Sequence, residues 1–103
     1  MAKLDNPSGR IGGGRAVCTT AGTANVIVTT NVPCSWVIIQ AETDNAGNVM
    51  IGDSSVDITD TSQTNGIILD AGESITLPIS DLGELYIDSG TSGDGITYLY
   101  GSD

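Results

Sequence analysis

The chain has 103 residues, enough for one ordinary domain, and carries thirteen acidic side chains against three basic ones. All three cations, Lys3, Arg10 and Arg15, precede residue 16, so every charged side chain after that point is acidic. Such a surface repels phosphate, and we expect neither a nucleic acid nor a membrane as a partner. Histidine is absent, which excludes serine–histidine and cysteine–histidine catalytic pairs and imidazole metal ligands.

Apolar residues make up 39% of the chain, which is enough for a core and argues against disorder of the whole chain. No run of residues has the pattern of a signal peptide or the length of a membrane span. Without a signal peptide, synthesis in a reducing cytosol is expected, and Cys18 and Cys34 are predicted to be buried free thiols. A bridge formed after release from the cell remains the alternative.

The first 14 residues are predicted to form a flexible, glycine-rich basic arm, and residues 15–103 the folded domain. This arm ends in three consecutive glycines and shows no apolar periodicity. A plain linker and a nucleic-acid-binding Arg-Gly segment are the alternatives to an arm that extends over another protein. The residues expected to make that contact are Lys3, Arg10, Ile11, Gly12, Gly13, Gly14 and Arg15.

From residue 15 onward, short β-branched runs alternate with turn clusters, a pattern typical of an all-β domain. It predicts seven or eight short strands in an antiparallel β-sandwich of jelly-roll type. Residues 16–20 and 25–30 flank a short glycine-containing loop and are predicted to pair as a hairpin. Residues 34–41 are apolar on both faces, which predicts a central strand, and residues 49–51 are predicted to form a short strand.

Residues 52–66 are rich in Asp, Ser, Thr and Asn and predict a long surface loop with at most one weak strand. The alternating run that follows contains Pro78, which has no N–H group, so an edge strand is expected there. A capped turn near Asp81 is predicted to precede a strand at 85–87. That strand is predicted to form a hairpin with residues 96–100.

Carboxylates are the only acid–base groups present in quantity. Two of them could hydrolyse a glycosidic bond without histidine, but here they are spaced singly in turns, where Asp accepts local backbone N–H groups. Asp53, Asp57 and Asp60 share one polar loop and make calcium an alternative, although their spacing matches no calcium-loop motif. We therefore expect no catalytic, metal-binding or cofactor-binding residue, and no enzyme.

The aromatic residues allow a sugar-stacking platform as an alternative to packing. Trp36 lies in an apolar run and is expected in the core. Tyr98 and Tyr100 share one strand face with Ile96 and are expected to line the interior or a subunit contact. We therefore favour packing for Trp36, Tyr98 and Tyr100 over a sugar-stacking platform formed by these three residues and Tyr86.

With the strands assigned, the chain resembles small virion proteins of tailed bacteriophages, in particular the head decoration, or cement, proteins. Strand and turn patterns carry the resemblance, among them PCSWVIIQA at 33–41 and AGESITLPI at 71–79. The other segments are residues 17–24, 45–53, 65–69 and 85–88.

The resemblance implies a non-enzymatic homotrimer on the outer capsid surface, made in the bacterial cytoplasm. It would bind the major capsid protein through the arm and stabilise contacts between capsid subunits. A tail-fibre or adhesin-like domain that binds a receptor or glycan is the alternative within the same virion class.

Overall fold

The computed structural model describes residues 10–60 and 65–102, which form eight strands and one turn of 3-10 helix at Leu82–Glu84. The strands are β1 (Arg10–Val17), β2 (Asn25–Val26), β3 (Trp36–Ala41), β4 (Val49–Gly52), β5 (Ile67–Leu69), β6 (Ser74–Leu77), β7 (Tyr86–Ser89) and β8 (Gly95–Ser102). The all-β prediction is confirmed. No helix among the described residues is long and apolar enough to cross a membrane.

The strands form two antiparallel sheets of four strands each. The first sheet has the order β1-β8-β3-β6 and the second the order β2-β7-β4-β5. Each sheet contains two pairs whose strand numbers add up to nine: β1 with β8, β3 with β6, β2 with β7, and β4 with β5. Each of these pairs joins a strand from the first half of the chain to one from the second half, as in one long hairpin.

Both sheets contribute alternate residues to one hydrophobic core. In β3, Val37, Ile39 and Ala41 are fully buried, whereas the residues between them point to the opposite face. Ile51 and Ile87 of the second sheet belong to the same buried cluster. The pattern of apolar residues therefore determines which face of each strand points inward.

The predicted hairpins are both wrong. The strand that begins the domain, β1, and the next one, β2, lie in different sheets, and so do β7 and β8. Gly93, with φ of +99°, lies in the connection from β7 to β8. Glycine and aspartate favour a tight reversal within one sheet and a corner between two sheets alike, so local turn signals could not distinguish these connections.

Several local predictions are confirmed. The strand β3 is central in its sheet, with β8 on one side and β6 on the other, and β6 is an edge strand followed directly by Pro78. The Asp81 side chain caps the 3-10 turn by accepting a hydrogen bond from the Gly83 N–H at 2.9 Å. Within the described part of the loop after β4, residues 53–60 and 65–66, there is no strand.

The predicted arm is too long. Residues 10–14, which we expected to be flexible, form most of β1 and pair with residues 98–102 of β8. Residues 1–9, the remainder of the predicted arm, lie outside the described residues. Residues 10–14 therefore belong to the folded domain.

Candidate functional site

The three glycines fit β1 against two tyrosines of β8. Gly12 is opposite Tyr100 and Gly14 is opposite Tyr98 in the strand register. A Cβ atom at Gly12 would lie 2.5 Å from the Tyr100 hydroxyl oxygen, and one at Gly14 would lie 2.6 Å from that of Tyr98. Each ring thus lies over the bare backbone of its cross-strand neighbour. Glycine is needed here for close packing rather than for the flexibility of a linker.

The two tyrosine rings are stacked with their centroids 6.4 Å apart, and both pack against the core cluster. Burial, together with the neighbouring Tyr100, raises the pKa of Tyr98 above its ordinary value. This packing agrees with the predicted interior position of Tyr98 and Tyr100.

Arg15 is the second arginine of β1 and forms a bidentate ion pair with Glu42. Its Nε and Nη2 atoms both donate hydrogen bonds to the Glu42 carboxylate, the latter at 2.9 Å. The hydrogen bond and the charge of Glu42 raise the pKa of Arg15 above its ordinary value. About 57% of the Arg15 side chain is still exposed, so the guanidinium lies at the surface with its orientation fixed.

The other residues predicted to bind a partner are brought together only in part. Lys3 lies outside the described residues, whereas Arg10, Ile11 and Gly13 take their places in β1. The Ile11 side chain is 72% exposed. In the described part of the chain, β1 is an edge strand that pairs with β8 alone. Six of the seven predicted residues therefore share one exposed edge of the first sheet.

The outer face of the first sheet carries an apolar surface that the sequence prediction did not anticipate. It consists of four side chains, called the apolar face below: Ile11, Trp36, Ile38 and Leu99. Strand register places Leu99 directly opposite Ile38, and Ile11 and Trp36 on either side of Gly101. Ile38 and Leu99 are 37% and 44% exposed. The sequence did contain a signal for this surface, the second row of apolar side chains in β3. We used that row only to predict a central strand.

Trp36 lies on this outer face, so its predicted core position is wrong. Its indole ring covers Gly101, where a Cβ atom would lie 2.3 Å from the Trp36 Cζ2 atom. The ring is half-buried because the glycine provides a depression in the sheet. Alternation explains the position: Val37 points to the core, so its neighbour must point away from it.

The outer face of the second sheet, in contrast, is covered by the chain itself. Met50 and Asp88 are paired neighbours on this face, and both are fully buried. Val56, in the loop after β4, is also buried, and the neighbouring Ile58 N–H donates a hydrogen bond to the Asp88 carboxylate at 2.8 Å. The loop thus closes the second sheet, and no comparable described segment covers the first.

Acidic residues avoid the first sheet. Its four strands contain no Asp or Glu, and in the second sheet only Asp88 is acidic. The other carboxylates of the described residues lie outside the strands, where several accept backbone hydrogen bonds as predicted. Asp94, for example, accepts from the N–H groups of Ala46 and Gly47, both at 2.9 Å. Such carboxylates hold loop conformations.

The loop proposed as a calcium alternative shows the same use of carboxylates. Asp53 and Asp57 each accept a hydrogen bond from the N–H group two residues further on, that of Ser55 at 2.8 Å and that of Thr59 at 2.9 Å. The hydrogen bonds from Ser55 lower the pKa of Asp53 below its usual value. Among residues 10–60 and 65–102, no three acidic or cysteine side chains are grouped to hold a metal ion.

Both cysteines are free and buried, as predicted. The Cys34 thiol donates to the carbonyl oxygen of Ile79 at 3.1 Å, and burial, followed by the nearby charge of Asp81, raises its pKa. Cys18 is fully buried and donates to the carbonyl oxygen of Thr20 at 3.3 Å. Neither thiol is placed as a reactive surface group.

No protein-family model matches the chain, and a search of curated proteins found no match. Among solved structures, the chain is similar to one from work on Bacillus endospore appendages, described as a novel family of disulfide-linked pili. The TM-score is 0.52 and the identity 17%, over 91% of this chain and 85% of the other. At this identity the similarity concerns the fold, an all-β arrangement of two sheets.

Proposed function

We propose that the protein is a head decoration protein of a tailed bacteriophage. In this proposal it binds the outer surface of the head, self-associates, and stabilises contacts between major capsid proteins. The observation that carries the proposal is the separation of charge: the first sheet ends in an exposed edge strand with two arginines and has no acidic residue in its four strands, on a chain of net charge −10. Such a division suits a subunit that attaches by one side and faces solvent with the others.

The proposal includes a jelly-roll β-sandwich as the architecture. Strand pairs that add up to nine, distributed over sheets of order β1-β8-β3-β6 and β2-β7-β4-β5, support it. Eight-stranded double sheets of this kind occur in viral capsid and lectin domains. The architecture is therefore compatible with a place in a virion, although it does not by itself define a function.

The proposed role is structural and not catalytic. The carboxylate oxygens of buried Asp88 and Asp94 accept hydrogen bonds from loop N–H groups. Arg15 and Glu42 neutralise each other at the sheet edge. With no histidine in the chain, these side chains support loop geometry and surface charge rather than acid–base chemistry.

Attachment would combine β1 with the segment before it. The exposed edge of β1 offers backbone N–H and C=O groups to an extended partner segment. All three cations, Lys3, Arg10 and Arg15, lie within the first 15 residues of the chain, and an acidic capsid surface would attract them. The acidic loops would face solvent and keep the free subunit soluble before assembly.

A binding experiment with phage heads that lack the protein tests this proposal. The full chain should co-sediment with such heads, and removal of residues 1–9, which leaves all of β1 in place, should weaken binding strongly. Arg10→Ala in the full chain should also weaken head binding at physiological salt. A Glu84→Gln variant, in the exposed 3-10 turn, is the matched control. Failure of the full chain to bind would refute decoration, whereas undiminished binding after truncation would refute only the arm.

A second candidate is a subunit of a surface appendage or tail fibre. The similarity to a protein of a pilus favours it, together with the exposed edge of β1. A subunit of this kind would form filaments or fibres in the absence of heads, or would bind a receptor or glycan. Electron microscopy of the purified protein distinguishes the two: filaments support an appendage, and discrete particles that bind heads support decoration.

A further inference from the structure

We infer that the apolar face, Ile11, Trp36, Ile38 and Leu99, is the surface on which a second copy of this chain docks. The two first sheets would stack face to face around a twofold axis. The inference rests on the self-association in the proposed function and names the surface that carries it. It differs from the trimer expected by resemblance, because a contact of one surface with itself closes as a dimer.

The contrast between the two outer faces is the first support. The loop after β4 lies over the second sheet: Val56 of the loop and Met50 of the sheet are both buried, and the loop donates a hydrogen bond to Asp88. The first sheet leaves Ile38 and Leu99 more than a third exposed, next to each other in register. Large apolar side chains that adjoin on a sheet face without cover mark an interaction surface.

Charge identifies the occupant as a second copy. Each chain carries a net charge of −10, so two copies repel unless they meet where carboxylates are absent. The four strands of the first sheet contain no acidic residue, whereas the loops and β7 contain many. The same face on both partners therefore gives a contact without acidic residues from either sheet. A contact with the acidic loops of the second copy would instead bring carboxylates against apolar side chains, at a desolvation cost.

Polar groups border this contact at one end. Thr97 lies opposite Gln40 in the register, next to the row that contains Leu99 and Ile38. The Arg15–Glu42 ion pair lies at the same end of the sheet, with the guanidinium exposed. This arrangement of an apolar centre with a polar border is the one found in protein interfaces. Trp36 supplies an aromatic anchor, which often contributes most to such contacts.

The size of the sheet sets the expected strength. Four strands spaced at about 4.8 Å and up to eight residues long cover roughly 450 Å² per partner. The total is close to the lower limit of about 1,000 Å² for a specific interface, so we expect a reversible dimer with micromolar affinity. Sheets that pack face to face lie about 10 Å apart, which leaves room for these side chains to interdigitate.

Sedimentation equilibrium of the full chain over a range of concentrations tests the contact. The wild type should fit a monomer–dimer equilibrium. Ile38→Glu should weaken dimerisation at least tenfold, since the twofold axis places the new charge in the interface twice. Ile67→Glu is the matched control: Ile67 is a 53% exposed isoleucine on the edge of the second sheet. It should leave the dissociation constant within about twofold of the wild-type value.

Trp36 supplies a second readout, because it is the one tryptophan of the chain. Dilution of the wild type should shift its emission to the red as the indole becomes solvated, and Ile38→Glu should show the shifted emission at all concentrations. Circular dichroism establishes that both variants are folded. A monomer, a trimer, or a dimer that is insensitive to Ile38→Glu but folded would overturn the inference. Head binding is measured separately, so its loss or retention tests the proposed function and not this contact.

Discussion

Replacement of Asp88 by alanine should destabilise the domain more than any other single carboxylate substitution. The Asp88 side chain is fully buried and accepts hydrogen bonds from the backbone N–H groups of Gly22 at 2.9 Å and of Ile58 and Ser89, both at 2.8 Å. It therefore holds the loop after β1 and the loop after β4 to the second sheet.

The magnitude follows from those three donors. Hydrogen bonds to a charged acceptor contribute about 1.5–3 kcal/mol each, and donors left without a partner add to the loss. Gly22 also donates to the carbonyl oxygen of Ser89 at 3.1 Å, so it keeps a second acceptor when the carboxylate is removed. We expect Asp88→Ala to lower the free energy of unfolding by about 3–5 kcal/mol, a large share of the roughly 5–15 kcal/mol typical of a domain.

Urea unfolding followed by circular dichroism measures the change. Asp88→Ala should lower the midpoint by about 2–3 M at a slope near 1.5 kcal/mol/M, and Asp88→Asn, which keeps one acceptor oxygen, by about half as much. Asp70→Ala, at an exposed aspartate, is the control and should change stability by about 0.5 kcal/mol or less. A loss below about 1 kcal/mol for Asp88→Ala would show that water replaces the carboxylate and would refute the reasoning.

Three further predictions concern packing and titration. Gly101→Ala should push the Trp36 ring off the sheet, shift its fluorescence emission to the red and cost about 1–3 kcal/mol; unchanged emission would contradict the close contact. The thiols of Cys18 and Cys34 should react with a thiol reagent only after unfolding, when two free thiols per chain become accessible; rapid reaction of the native protein would contradict their burial. The raised pKa of Tyr98 means that the folded state holds its proton more tightly than the unfolded chain. This stabilisation is complete below the ordinary pKa of 10.0 and is lost as pH rises through the folded value, so alkaline melting curves should show a smaller decline for Tyr98→Phe.

The sequence allowed the strands to be found but not paired. The apolar residues on both faces of β3 and the position of Pro78 predicted a central and an edge strand correctly, because hydrophobicity and the missing N–H are local properties of the segment. The two hairpins were wrong because pairing in this fold joins segments far apart in sequence, such as β1 with β8. A turn motif contains no information about that distant partner.

The candidate site shows the same limit. The residues Gly12 and Gly14 have the composition of a flexible linker, and only the cross-strand tyrosines at 98 and 100 explain why they belong to a strand. Trp36 was expected in the core on its hydrophobicity, yet the glycine at 101 provides its place on the outside. In each case a glycine leaves room for an aromatic ring from another strand. The sequence of a single segment contains no information about that ring.

The proposal that this chain covers a phage head can be tested most directly on purified particles. Quantitative mass spectrometry of virions that carry the protein gives its copy number relative to the major capsid protein. We predict a number comparable with that of the capsid protein, together with loss of the protein from heads when residues 1–9 are removed. A copy number that is a small fraction of the capsid protein's, as for a tail or fibre component, would contradict it.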